Sequence, residues 1–338
     1  MKIDVRTYEL RLEVPFAIAR GTTSSHTICV AEVEHEGVKG LGEASPSAYY
    51  GDSLEAARAA IEGARSIIGN DPFAVRAVAE RLKEAFPTSP SGRAAVEVAL
   101  YDIMGKLSGV PLYRLFGLSG APLPVTSFTV GVEDASLARS RIEILRAFPI
   151  LKVKVGFGRE QDLLALLAEE TGATLRVDAN EGWQVDEAIE KINAWERYSI
   201  EFFEQPIPKE NKDGYREIKR ATNATIFVDE GVSSKHDILQ WEGLVDGVNI
   251  KLMKCGGLRE AIDMIAVARA CGLRVMLGCM VESALGITAA AHIASLVDCC
   301  DLDGNLLISN DPFEGVRAEG GIICLPDLPG LGVAARNA

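Results

Sequence analysis

The chain has 338 residues, 48% of them apolar, enough for one large core with a smaller attached unit and too apolar for a disordered chain. Its 48 acidic and 35 basic residues give a formal charge of −13, and no basic stripe is present to displace counterions from phosphates, which argues against a nucleic-acid partner. No stretch of about 18 uncharged apolar residues occurs, and the opening MKIDVRTYELRLEVPF lacks an apolar signal core, so the expectation is no membrane partner and a cytoplasmic location.

Residues 1–50 alternate charged and apolar side chains, as half-buried strands do. The runs TYELRLEVPF and TICVAEVEHEGVKGLGEAS predict a β-rich sheet with a hairpin about Glu36-Gly37. From Ser53 the period becomes helical in SLEAARAAIEGARSIIG, AVRAVAERLKEAF and GRAAVEVALYDIMGKLSG, which predicts an α+β domain over 1–118. The Gly- and Pro-containing GLSGAPLP at 117–124 predicts the boundary with a second domain, 119–315. Seven cysteines (Cys29, Cys255, Cys271, Cys279, Cys299, Cys300 and Cys324) lie mostly in apolar runs without C-x-x-C spacing, and are expected to be reduced core residues.

After Pro124 a short apolar strand and a longer helical segment alternate: ILKVKV, TLRVDAN, IEFFEQPI, TIFVDEG, VDGVNIKL and LRVMLGC are each followed by a helix-period stretch. This pattern predicts an α/β fold with a parallel sheet, and the number of units favours closure into a TIM-type barrel. No G-x-G-x-x-G follows a strand, which argues against a dinucleotide site.

Lys154, Asp178, Glu204, Asp229 and Lys251 each end or just follow one of these strands, at spacings of 24, 26, 25 and 22 residues. One βα unit has that length, so all five are predicted at the carboxyl rim, where barrel active sites are built. Ionisable groups at five successive strand ends are costly to bury unless paired or functional. Three adjacent carboxylates make a hard oxygen site suited to Mg²⁺, and the lack of histidine and thiolate in the set argues against zinc. A divalent cation opposes the charge that builds when a C–H beside a carboxylate loses its proton, and a neutral lysine can take that proton. Lys152 shares a strand face with Lys154, about 6–7 Å away, and its repulsion of roughly 2.4 kcal/mol is expected to lower its neighbour's proton affinity in part. Lys254, three residues past Lys251, is expected in a loop. His26, His35, His236 and His292 fall off the strand rims and are expected on surfaces or helix packing faces.

In K-V-K at 152–154, VDAN, FFEQP, VDEG, NIKLMKCGG at 249–257 and GLGEASP at 40–46, the chain resembles the enolase superfamily, in its muconate-lactonizing-enzyme subgroup. The handling of ene-diolates by lysine bases and Mg²⁺ is a general property of that superfamily. The resemblance implies a modified (β/α)₇β barrel under an α+β capping domain, with the last segment, 316–338, packing back on the cap. It implies Lys154 and Lys251 as acid and base, and Asp178, Glu204 and Asp229 as ligands of Mg²⁺. A histidine base of the mandelate-racemase type has no counterpart here.

The sequence DLDGNLL (301–307) places Asp301 and Asp303 on one side if it is extended, and a carboxylate pair in the mouth suits an ammonium group. By itself the pair also reads as a turn ahead of Gly304. It resembles the D-x-D of dipeptide epimerases, which implies a small-molecule dipeptide substrate, of the L-Ala-L-Glu type, epimerised at its second residue. The same resemblance implies Lys152 and Thr129 near the substrate carboxylate, and Arg20 in a lid over the side chain, with Tyr49 and Tyr50 also placed to close the site. An o-succinylbenzoate synthase or muconate cycloisomerase would share the metal and lysines but offer no ammonium. A barrel that binds dipeptides without catalysis is the reading of another class. The sequence is compatible with a homo-oligomer.

Overall fold

The computed structural model describes residues 1–18, 21–131, 135–156, 158 and 160–336. Three antiparallel strands, β1 (Lys2–Ile18), β2 (Gly21–His35) and β3 (Val38–Ala44), open the chain. The β2–β3 hairpin turns at Glu36 and Gly37, whose φ angles of 49° and 82° are those of a two-residue turn matched to strand twist. Helices α1 (Leu54–Gly63), α2 (Val75–Ala85) and α3 (Pro90–Ser108) cover one face of this sheet. Gly40 and Gly42 are required there, because a Cβ would stand 2.0 Å from the Ala99 carbonyl oxygen and 1.9 Å from that of Ala95 on α3.

Alternation along β2 divides its side chains between two cores. Cys29 and Ala31 pack with the cap helices, whereas Ile28 and Val30 join the large core of the remaining chain. The closing segment lies against α3, with Leu331 N donating to Asp102 Oδ1 at 2.8 Å.

The rest is an eight-stranded parallel sheet in chain order: β4 (Phe128–Val130), β5 (Ile150–Lys154), β6 (Thr174–Asp178), β7 (Ile200–Glu204), β8 (Ile226–Val228), β9 (Gly247–Lys251), β10 (Arg274–Gly278) and β11 (Cys299–Asp301). Ser127 N donates to Cys300 O at 3.1 Å beside a parallel Thr126–Cys300 bridge, which joins the first strand to the last and closes the barrel. Outward residues such as Val153, Val177, Val248 and Leu277 pack under the helices. Inward, Phe202, Phe227, Met276 and Cys299 form a separate apolar plug, with the two phenyl rings stacked at 4.2 Å. That plug fills the inside of the barrel, and polar inward residues gather above it at the carboxyl ends. The seven cysteines are all free thiols. No helix among the described residues is long and apolar enough to cross a membrane.

Candidate active site

Parallel register sets the strand-end residues at one height. Lys154 pairs with Asp178 and Asp178 with Glu204, while Gly278 pairs with both Lys251 and Asp301. Asp229 follows the last residue of β8. All of these charged groups, and Lys152, Thr129 and Asp303, are at most 7% exposed. Charges buried to that degree need partners, and the lysines, Asp178, Glu204, Asp229 and Asp301 have them as ion pairs, whereas Asp303 has a backbone N–H.

Lys152 Nζ stands at the centre, 2.7 Å from Glu204 Oε2, 2.7 Å from Asp301 Oδ2 and 3.1 Å from Asp178 Oδ2. Lys154 Nζ donates to Asp178 Oδ2 at 2.6 Å and Lys251 Nζ to Asp229 Oδ2 at 2.9 Å. Burial works against the Lys152 ammonium, but Asp301, Glu204 and Asp178 outweigh it and hold its pKa well above the usual lysine value. Its charge is therefore committed to carboxylates. Lys251 is likewise raised, Asp229 outweighing burial. Asp178 is held down to about 2, because Lys154 and Lys152 overcome its burial. Glu204 goes the other way, pushed up to about 7 by burial and by Asp178.

Neighbours fix these carboxylates. Asn249 Nδ2 donates to Glu204 Oε1 at 2.7 Å, and Gly278 leaves the room for it, since a Cβ there would stand 2.5 Å from Asn249 Oδ1. Gln205, in the left-handed conformation at φ 42°, accepts at Oε1 from the backbone N–H groups of Asp229 and Glu230, each at 2.9 Å. In the sequence Gln205 is marked only by following the strand-end Glu204, and Asn249 only by preceding the strand-end Lys251 by two positions.

Lys254 departs from the loop expectation. It sits in the helical turn Leu252–Cys255, 3% exposed, and donates to Asp229 Oδ1 at 2.5 Å, Asp229 O at 2.7 Å and Asn249 O at 3.0 Å. A turn tightening immediately after β9 carries its ammonium back under the strand end.

The eighth strand also differs in detail. It starts at Cys299 and ends at Asp301, and Asp303 heads the turn Gly304–Leu306. The turn and site readings of this pair thus hold together: Asp301 accepts from Ser127 Oγ at 2.8 Å, and Asp303 Oδ2 accepts from Thr129 N at 2.5 Å. Asp303 makes no lysine ion pair among the described residues, and burial and Asp301 push its carboxyl up to about 7.

A cavity of about 580 Å³ lies over this floor, lined by Thr129, Lys152, Lys154, Lys251, Asp301 and Asp303 from the barrel. His26 and Tyr50 line it from the cap, so His26 departs from the expectation of a surface or packing residue. Tyr49 instead fastens the turn Ala48–Tyr50 to the barrel, donating to Glu181 Oε2 at 2.7 Å and accepting from Lys209 Nζ at 3.0 Å. Arg20 lies outside the described residues.

The donor set fits a small divalent cation. Asp178, Glu204 and Asp229 offer oxygen alone, and Glu204 Oε2 is buried without a hydrogen bond of good geometry despite its ion-pair contact with Lys152. As the side chains stand, no three acidic, histidine or cysteine residues among those described close on one point. Lysine ammonium groups take the positive-charge role between them.

Residues 2–117 match the family model described as the mandelate racemase / muconate lactonizing enzyme N-terminal domain, and residues 134–338 match that of the enolase C-terminal domain-like family. The chain belongs to the mandelate racemase and muconate lactonizing enzyme family of the enolase superfamily. Among its relatives, the L-Ala-D/L-Glu epimerase of Bacteroides thetaiotaomicron is 38% identical over 98% of this chain and 88% of its own length. A dipeptide epimerase from Enterococcus faecalis, solved with Mg and the dipeptide L-Leu-L-Tyr, superposes with a TM-score of 0.92 at 33% identity, covering 98% of this chain and 99% of that one. A substrate-liganded L-Ala-D/L-Glu epimerase from Bacillus subtilis gives 0.91 at 31% identity, with 99% and 98% coverage.

Proposed function

We propose that this chain is a Mg²⁺-dependent dipeptide epimerase that inverts the α-carbon of the second residue, with L-Ala-L-Glu to L-Ala-D-Glu as its reaction. The observation that carries the reading is one cavity holding two lysines, on β5 and β9, together with the Asp301–Asp303 pair. The relatives that epimerise dipeptides support it. Asp178, Glu204 and Asp229 would hold Mg²⁺, which, when bound, opposes negative charge building on the substrate carboxylate. Lys154 and Lys251 approach from opposite sides, one removing the α-proton and the other protonating the other face. Asp301 and Asp303 receive the α-ammonium through charge-assisted hydrogen bonds, and Lys152 and Thr129 help to hold the carboxylate. Arg20 is proposed over the second side chain.

In this reading residues 1–118 with 316–338 form a cap over the 119–315 barrel, and the substrate is a cytoplasmic small molecule rather than nucleic acid. A muconate or succinylbenzoate substrate would offer no ammonium to Asp303, which makes no lysine ion pair among the described residues, and this disfavours those activities. The test is a dipeptide panel incubated with enzyme and Mg²⁺ in D₂O and read by mass and chirality. Deuterium uptake with inversion at the second residue is expected, and no uptake across the panel would overturn the proposal.

A further inference from the structure

His26 stands on β2, on the barrel-facing side of the cap sheet with Ile28 and Val30, and lines the cavity. Its Nε2 is 2.8 Å from Ser45 Oγ, and that same oxygen is 2.9 Å from Val281 O. A serine hydroxyl has one proton, and a carbonyl oxygen only accepts. Ser45 must therefore donate to Val281 O and accept from His26, because the opposite choice would bring two lone pairs together at 2.9 Å. The imidazole is thus fixed as the Nε2–H tautomer, with an unprotonated Nδ1. Among the described residues nothing pairs with Nδ1, and burial favours the neutral ring.

The place of this acceptor decides its partner. Val281 follows β10, between Lys251 on β9 and Asp301 on β11, and Cys279 in the same loop feels the charges of Asp303, Asp301 and Lys251. His26 therefore overhangs the stretch between the proton-transfer lysine and the ammonium carboxylates. On the reading proposed above, the α-carbon lies at the Lys251 end of that stretch and the ammonium at the Asp301 and Asp303 end. The donor left between them is the peptide N–H.

We propose that His26 is a substrate-binding residue whose Nδ1, fixed by the relay to Ser45 and Val281, accepts the peptide N–H and so selects amides over esters. The inference rests on the epimerase reading for its substrate. The test compares L-Ala-L-Glu with its depsipeptide, in which an ester oxygen replaces the N–H, on the Mg²⁺-loaded wild type, His26→Leu and His26→Asn. The wild type should favour the amide by roughly five- to tenfold in kcat/KM, the size of one neutral hydrogen bond. His26→Leu should erase that preference by losing activity on the amide alone, and His26→Asn, whose carbonyl oxygen can replace Nδ1, should retain most of it. Equal losses on both substrates, or an unchanged preference in His26→Leu, would overturn the role. An independent readout is ¹⁵N NMR of the imidazole, with His26→Asn giving the assignment. Dipeptide should shift the unprotonated Nδ1 signal and depsipeptide should not. A stationary Nδ1 refutes the histidine role whether or not any dipeptide turns over, whereas a D₂O panel without uptake refutes only the epimerase reading.

Discussion

Asp303→Asn separates recognition from folding. The asparagine keeps the shape of the side chain and an oxygen for the Thr129 N–H, which Asp303 binds at 2.5 Å, and it removes only the charge. If Asp303 receives the substrate ammonium, one charge-assisted hydrogen bond is lost, about 1.5–3 kcal/mol or roughly 10- to 150-fold in kcat/KM. Stability should move the other way. The folded carboxyl is raised to about 7 from an ordinary 3.8, so the native state binds more protons than the unfolded chain between those values, and wild-type stability falls as pH rises through that window. Above pH 7 ionising this group costs on the order of a few kcal/mol, and the variant is spared that cost. The assay pairs kcat/KM on a dipeptide and on its des-amino analogue with thermal melts at pH 5 and pH 8. Expected are a loss confined to the ammonium-bearing substrate and a Tm raised by more at pH 8 than at pH 5. Equal losses on both substrates, or a Tm lowered at pH 8, would refute the reasoning.

Lys154→Ala and Lys251→Ala should each stop epimerisation while leaving α-proton exchange on one epimer only, opposite for the two variants; NMR in D₂O checks this, and Lys254→Met retaining only the exchange assigned to Lys154 would transfer the Lys251 role to Lys254. Chelation of divalent metal should abolish exchange, and Mg²⁺ added back near pH 7 should release protons measurable with a pH indicator, because Glu204 is held up to about 7 without the ion. Glu204→Gln should reduce that release. Glu97, buried at the cap–barrel junction and accepting from Arg259 N at 2.8 Å, is raised by burial to about 7. Wild-type stability should therefore decline between pH 4.5 and 7 through this group, and Glu97→Gln should raise Tm at pH 8 but not at pH 4.

The barrel and its rim were legible because five successive strands, β5 to β9, announce themselves twice, by an apolar run and by a charged residue at the end that burial would otherwise forbid. Asp178, Glu204 and Asp229 recur at the length of one βα unit, and that repeat is visible without coordinates. What escaped depends on tertiary geometry. Lys254 reads as a loop residue because nothing in NIKLMKCGG reports the turn that folds its ammonium under Asp229. His26 reads as a surface residue because its relevance comes from Ser45 and Val281, 19 and 255 positions away. The end of β11 was displaced because alternation alone cannot distinguish an extended Asp303 from one that heads a turn and still points to Thr129.

Charge balance explains why such a site should depend on its metal. Five buried carboxylates, Asp178, Glu204, Asp229, Asp301 and Asp303, surround four lysines, Lys152, Lys154, Lys251 and Lys254. Burial prevails at Lys254, which is lowered, whereas the acids outweigh burial at Lys152 and Lys251, which are raised. A base needs the reverse. Like-charge pressure from Lys152 cannot provide it, since that ammonium is itself held by three acids. Two further positive charges among Asp178, Glu204 and Asp229 would turn the excess to the other sign, and loss of one lysine proton would then bring the set back to neutrality. A dipeptide with an uncharged second side chain adds a carboxylate and an ammonium together and leaves that balance unchanged. The carboxylate that holds the proton on Lys251 is therefore one of the groups that would hold a divalent cation, whose charge would favour release of that proton.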